Sequence, residues 1–194
     1  MEQKRSIGTT TRAEVIEISA VVLTLILGGL VLPLLFRAAG GTWSANGQFV
    51  VGPMVNCALI YAGVRFRGSV KTLAIICLPS ALALGGGLLF ALGSVYTLLM
   101  IPIIWVGNAA IVLFYKHLYA KKRANYITTS IVAIAVKVAI IFSGFLLLCA
   151  VGAIPAKTAT VMSSAMGVFQ IITAAAGAIT AFAALKLRGN YGRN

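Results

Sequence analysis

Lys137 is the side chain in this sequence that most needs a chemical explanation. It stands near the middle of a long apolar run, ITTSIVAIAVKVAIIFSGFLLLCAV, from Ile127 to Val151. A run of that length with one ionisable residue reads as a transmembrane helix. A Lys at the centre of such a helix costs about 2.5–3.5 kcal/mol on insertion scales. A carboxylate at the same depth would offset this, but the acids are Glu2, Glu14 and Glu17, all near the N-terminus, and there is no Asp. Lys137 is therefore deprotonated, hydrated, held by backbone and amide oxygens, or matched by a negative group brought from outside.

Three amides lie near the middle of other apolar runs: Asn56, Asn108 and Gln170. Each would be expensive facing lipid. Their neighbours at helical spacing form inward stripes. One is Ser130, Ala133, Lys137, Ile141, Gly144; another is Ser163, Met166, Gln170, Thr173, Gly177. Trp105 stands one turn before Asn108. Gly52 and Pro53 stand one turn before Asn56, where a proline frees a backbone carbonyl to accept a bond. At a rise of about 1.5 Å per residue, Lys137 lies about 18 Å along its helix, and all four polar groups share one layer.

The binding chemistry this suggests gives Lys137 an anionic or carbonyl group of a ligand. Asn56, Asn108 and Gln170 would hold its hydrogen-bonding edge, with Ser163 on the same stripe. Trp105 and Met166 would offer apolar contact, and Trp43 and Gln48 would close the site from the loop above. The plainer alternative is that the amides are interhelical glue, about 0.6 kcal/mol per pair, with Trp105 and Met166 as packing.

Catalytic patterns are absent from the sequence. It has no GxxxxGK[ST] loop for ATP, no HExxH and no Ser/His/Asp set. Cys57, Cys77 and Cys149 are isolated and read as small buried hydrophobes. His117 sits in a basic cluster. No enzyme, no metal centre and no cofactor is expected. A binding pocket without an engine remains, and such a protein needs an energised partner.

Six apolar spans carry these residues: Arg12–Phe36, Phe49–Val64, Thr72–Leu92, Thr97–Tyr115, Ile127–Val151 and about Thr158–Leu185. The chain has 60% hydrophobic and 10% charged residues and a mean hydropathy of +1.02. The reading is an all-α polytopic membrane protein, one six-helix bundle over residues 1–194. The N-terminus imitates a signal peptide, but its apolar run exceeds a usual h-region and is read as a retained first span. A net charge of +13 could suggest nucleic acid, yet the basic residues lie between spans and form no groove with interleaved aromatics. With the N-terminus inside, thirteen of the sixteen Lys and Arg fall on one face. Arg37 and Lys157 fall on the other. The positive-inside rule then puts both termini in the cytoplasm.

The pieces VGPMVNCALIYAG, LLMIPIIWVGNAAIVLFY and VAIAVKVAIIF, in a small six-span chain, resemble the substrate-binding S components of energy-coupling factor (ECF) transporters, across most of Phe49–Phe142. The resemblance implies a bundle opening outward in a prokaryotic cell membrane. It implies capture of a vitamin or other micronutrient near the outer half of spans four to six, beneath the loop Arg37–Gln48. It also implies a transmembrane coupling protein and two ATPase subunits as partners. Many members dock through an Ala-x-x-x-Ala motif on span one; this chain departs from it and offers Ala20, Thr24 and Gly28 instead. Two other readings stay open: a membrane anchor or assembly subunit packed solid around Lys137, and a small channel, which would need a continuous polar path inward.

Overall fold

The computed structural model describes residues 12–40, 47–66, 68–85 and 95–189. Trp43, the glycines at 86 and 87, and the turn expected before span four lie outside them in whole or part. All regular structure among the described residues is helical.

Helix α1 runs Arg12–Ala39 and passes through a π-helical turn, Leu27–Val31. Helix α2 is Gln48–Arg65 and α3 is Ser69–Gly85. Helix α4, Val95–Phe114, continues as a π-helical segment through Tyr115–Lys121. Helix α5 is Tyr126–Ala150. The expected sixth span is two helices, α6 (Ala156–Met166) and α7 (Val168–Leu187), broken at Gly167. Gln48, expected at the end of the loop above the site, is the first residue of α2. The basic cluster expected after span four is partly helical, to Lys121.

Local chemistry accounts for several of these ends. Asn125 caps α5, its Oδ1 accepting from the backbone N–H of Ile127 at 2.8 Å. The Gly167 backbone, at φ −108° and ψ −97°, departs from helical values and separates α6 from α7. The carbonyl of Ala165, beside that break, accepts a hydrogen bond from Gln170 Nε2 at 3.2 Å.

Among the described residues, four segments are long and apolar enough to cross a membrane: Arg12–Ala39, Leu98–Lys121, Tyr126–Ala150 and Ala156–Leu187. Large apolar side chains such as Leu23, Ile131, Leu147 and Ile179 point outward. An apolar exterior over long helices is what a bundle in lipid requires.

Glycines set the closest helix approaches. A Cβ on Gly52 would lie 2.6 Å from Thr173 Cβ, and one on Gly177 would lie 2.5 Å from Asn56 Cβ. These pairings make α2 and α7 parallel and nearly touching. Across α4 and α5, a Cβ on Gly107 would meet Ile141 at 2.8 Å and one on Gly144 would meet Ile103 at 2.6 Å, so those two helices are antiparallel. Close contact of this kind supplies van der Waals attraction where lipid offers no hydrophobic drive.

Two apolar clusters result. One holds Leu59, Ile60, Phe66, Ile111, Tyr115 and Ala181; the other holds Met100, Ile104, Ile141, Phe145, Met162 and Met166. Along α4 Asn108 and along α5 Lys137 fall between them.

Candidate functional site

Lys137 is 2% exposed and Asn56 and Asn108 are each 3% exposed. Lys137 Nζ donates to Asn56 Oδ1 at 2.5 Å. Asn56 Nδ2 donates in turn to the Gly52 carbonyl at 2.9 Å. The bond therefore uses Gly52's carbonyl, not the one on Phe49 that Pro53 releases. The helices hold this pair from both sides. Gly177 lets α7 press on Asn56, and Gly107 lets α4 approach the backbone of Lys137, whose carbonyl is 3.4 Å from the position a Cβ would take.

On α5 the buried residues are Thr129, Ala133, Lys137, Ile141 and Phe145, which keeps the central part of the expected stripe. On α6 and α7 the stripe divides. Met166, Thr173 and Gly177 are buried, while Thr173 Oγ1 donates to the Phe169 carbonyl at 2.7 Å. Ser163 Oγ donates to Thr160 O at 2.9 Å, and Gln170 serves the break at Gly167. Neither has a hydrogen bond to Lys137. Met166 packs in the second apolar cluster with Met162 and Phe145. Asn108 is buried on α4, and the bonds that join Lys137, Asn56 and Gly52 do not use it.

Trp105 carries a feature that the sequence reading missed. Its Nε1 is buried and, among the described residues, has no hydrogen-bond partner. Indole nitrogen can only donate. A tryptophan in an apolar run gives no sign of this, because orphaning depends on what the neighbouring helices place beside it.

The two carboxylates among the described residues, Glu14 and Glu17, are engaged elsewhere. Glu17 takes a forked pair of bonds from Arg65, Nη2 at 2.5 Å and Nε at 3.0 Å. Glu14 accepts from Lys71 Nζ at 2.7 Å. These pairs join the start of α1 to the end of α2 and the start of α3. Their i, i+3 spacing on one face was the available signal. Among the described residues no group of His, Cys, Asp and Glu could hold a metal ion.

Of the small-residue stripe on α1, Gly28 is buried against Met54, 3.4 Å from where a Cβ would sit. Ala20 and Thr24 line an open groove between α1, α2 and α7, with Ala58, Tyr61, Ala184 and Arg188 on its other walls. Thr24 Oγ1 donates to Ala20 O at 2.8 Å, leaving its methyl to the surface. The arrangement as a whole is an all-helical bundle with a buried cation-forming side chain in a neutral amide layer. Compared with known protein families, curated proteins and solved structures, the chain matches none of them.

Proposed function

We propose that this protein is a substrate-binding component of an ECF-type importer, capturing a vitamin or other small micronutrient for uptake driven by partner subunits. The observation that carries the reading is Lys137. Its nitrogen turns into the bundle, not toward lipid, and bonds to a neutral amide of another helix. As an amine it keeps one N–H beyond that bond; as an ammonium it keeps two. Glu14 and Glu17 are spent on Lys71 and Arg65, so a ligand is the natural source of a matching acceptor.

The same reading gives six membrane crossings, with α6 and α7 as one interrupted span and both termini in the cytoplasm. Support comes from the meeting of Glu14 with Lys71 and Glu17 with Arg65 at one end of the bundle. Lys186, over the Phe182 ring, lies near Tyr126 at the foot of α5 through the Tyr126–Phe182 contact. The groove at Ala20 and Thr24 is where a coupling protein would dock, and two ATPases would act through it. The apolar cluster on the inner side of the Lys137 layer argues against a channel.

A second reading has one observation in its favour. Lys137 is capped by Asn56 and enclosed by close-packed helices, as in an anchor or assembly subunit without a ligand of its own. The test is to purify the protein and identify retained small molecules by mass spectrometry, alongside Lys137→Ala. A retained micronutrient lost in the variant is the result expected. A protein that carries nothing, or a variant that keeps the same molecule with equal affinity, favours the anchor.

A further inference from the structure

The polar layer has more donors than acceptors. Lys137 retains at least one N–H after serving Asn56, and Trp105 Nε1 has no partner among the described residues. Asn56 has already given its oxygen to Lys137 and one N–H to Gly52. A buried donor left unpaired is costly and calls for an explanation.

The two donors lie at one level. A Cβ on Gly63 would meet the Val112 carbonyl at 2.8 Å, which fixes the register of α2 against α4. The C-terminal halves of both helices share the inner apolar cluster, so the two run parallel. Two turns back from that contact stand Asn56 on α2 and Trp105 on α4. Trp105 is thus on the face of α4 that meets α2, at the depth of the Lys137–Asn56 bond.

We propose that this layer recognises an acceptor group, a carboxylate or a urea-type carbonyl of a small molecule, held between Lys137 Nζ and Trp105 Nε1, with Trp105 the specificity-determining donor. The inference rests on the binding-protein reading above and deepens it. A ligand presenting an ammonium or other donor would face donors from both sides and be rejected. Trp105 thereby changes role from apolar wall to hydrogen-bonding group.

The test uses the full chain in detergent. Molecules retained through purification are identified, and the retained acid and its methyl ester, or the carbonyl compound and its methylene analogue, are titrated against wild type and Trp105→Phe. The variant keeps a ring and removes the N–H. Expected are a retained molecule with a carboxyl or urea carbonyl, about tenfold weaker binding in the variant, and a reduced preference for the acceptor compound. An independent readout is the indole N–H resonance of Trp105, distinguished from that of Trp43 by Trp43→Phe; it is expected to move downfield on ligand addition. An unchanged preference, an unmoved resonance, or a retained molecule without an acceptor overturns the inference and leaves the binding reading standing. A protein that retains nothing, and whose melting temperature is unmoved by millimolar water-soluble vitamins, overturns both.

Discussion

Lys137 and Asn56 depend on each other unequally. Replacing Lys137 with Met removes the donor, keeps most of the volume and leaves Asn56 Oδ1 unpaired, at a cost of about 1–3 kcal/mol. Replacing Asn56 with Ala leaves the lysine nitrogen without its acceptor and opens space beneath it. Asn56→Ala is expected to lower the melting temperature in detergent more than Lys137→Met does. Equal losses would mean that the nitrogen finds another acceptor. Gln170 illustrates a different economy. Its bond to Ala165 O closes the break at Gly167, so Gln170→Ala is expected to lower stability by about 1 kcal/mol with little effect on ligand affinity. Thermal unfolding and ligand titration of one sample separate the two effects.

At the scale of elements, glycines decide which helices can hold the site. Gly177 has no room for a side chain, since its Cβ would fall 2.5 Å from Asn56 Cβ and 2.9 Å from the Pro53 carbonyl. Gly28 differs: its Cβ would meet Met54 at 3.4 Å, close to ordinary contact. Gly177→Ala is therefore expected to cost about 1–3 kcal/mol by overpacking and to disturb Asn56, whereas Gly28→Ala should be nearly neutral. Denaturation of both variants side by side checks this, and equal tolerance would contradict the tight α2–α7 contact. The broken final span has the same origin in backbone geometry. A single uninterrupted helix was the sequence expectation because Gly167 lies inside a continuous apolar pattern; hydropathy does not report a local departure in φ and ψ.

For the whole molecule, charge supplies orientation. Basic residues collect at the end where Glu14 and Glu17 join α1 to α2 and α3, and the proposed topology, on the positive-inside rule, puts that end in the cytoplasm. Single cysteines added at each terminus of a Cys-free variant are expected to react with an impermeant maleimide only after vesicles are opened. Labelling of either terminus in sealed right-side-out vesicles would reverse the topology. Helical class, the run of apolar segments and the inward direction of Lys137 were all legible in the sequence, because each follows from hydropathy and 3.6-residue spacing. The partner of Lys137 was not legible. Choosing Asn56 over Asn108 or Gln170 depends on helix–helix contacts at Gly107 and Gly177, which are set by packing across distant parts of the chain. The same holds for the unpaired nitrogen of Trp105 and for the groove that opens beside Ala20 and Thr24.

The central claim is that Lys137 belongs to a site that admits a ligand, not to a sealed structural core. Reductive methylation with formaldehyde, followed by peptide mass mapping, tests it directly on the folded protein. Exposed Lys121, Lys122 and Lys157 serve as internal controls for complete reaction. Expected is slow methylation of Lys137 that the retained ligand suppresses when added back. If Lys137 stays unmodified while the exposed lysines react fully, or reacts at the same rate with and without ligand, the binding account is contradicted.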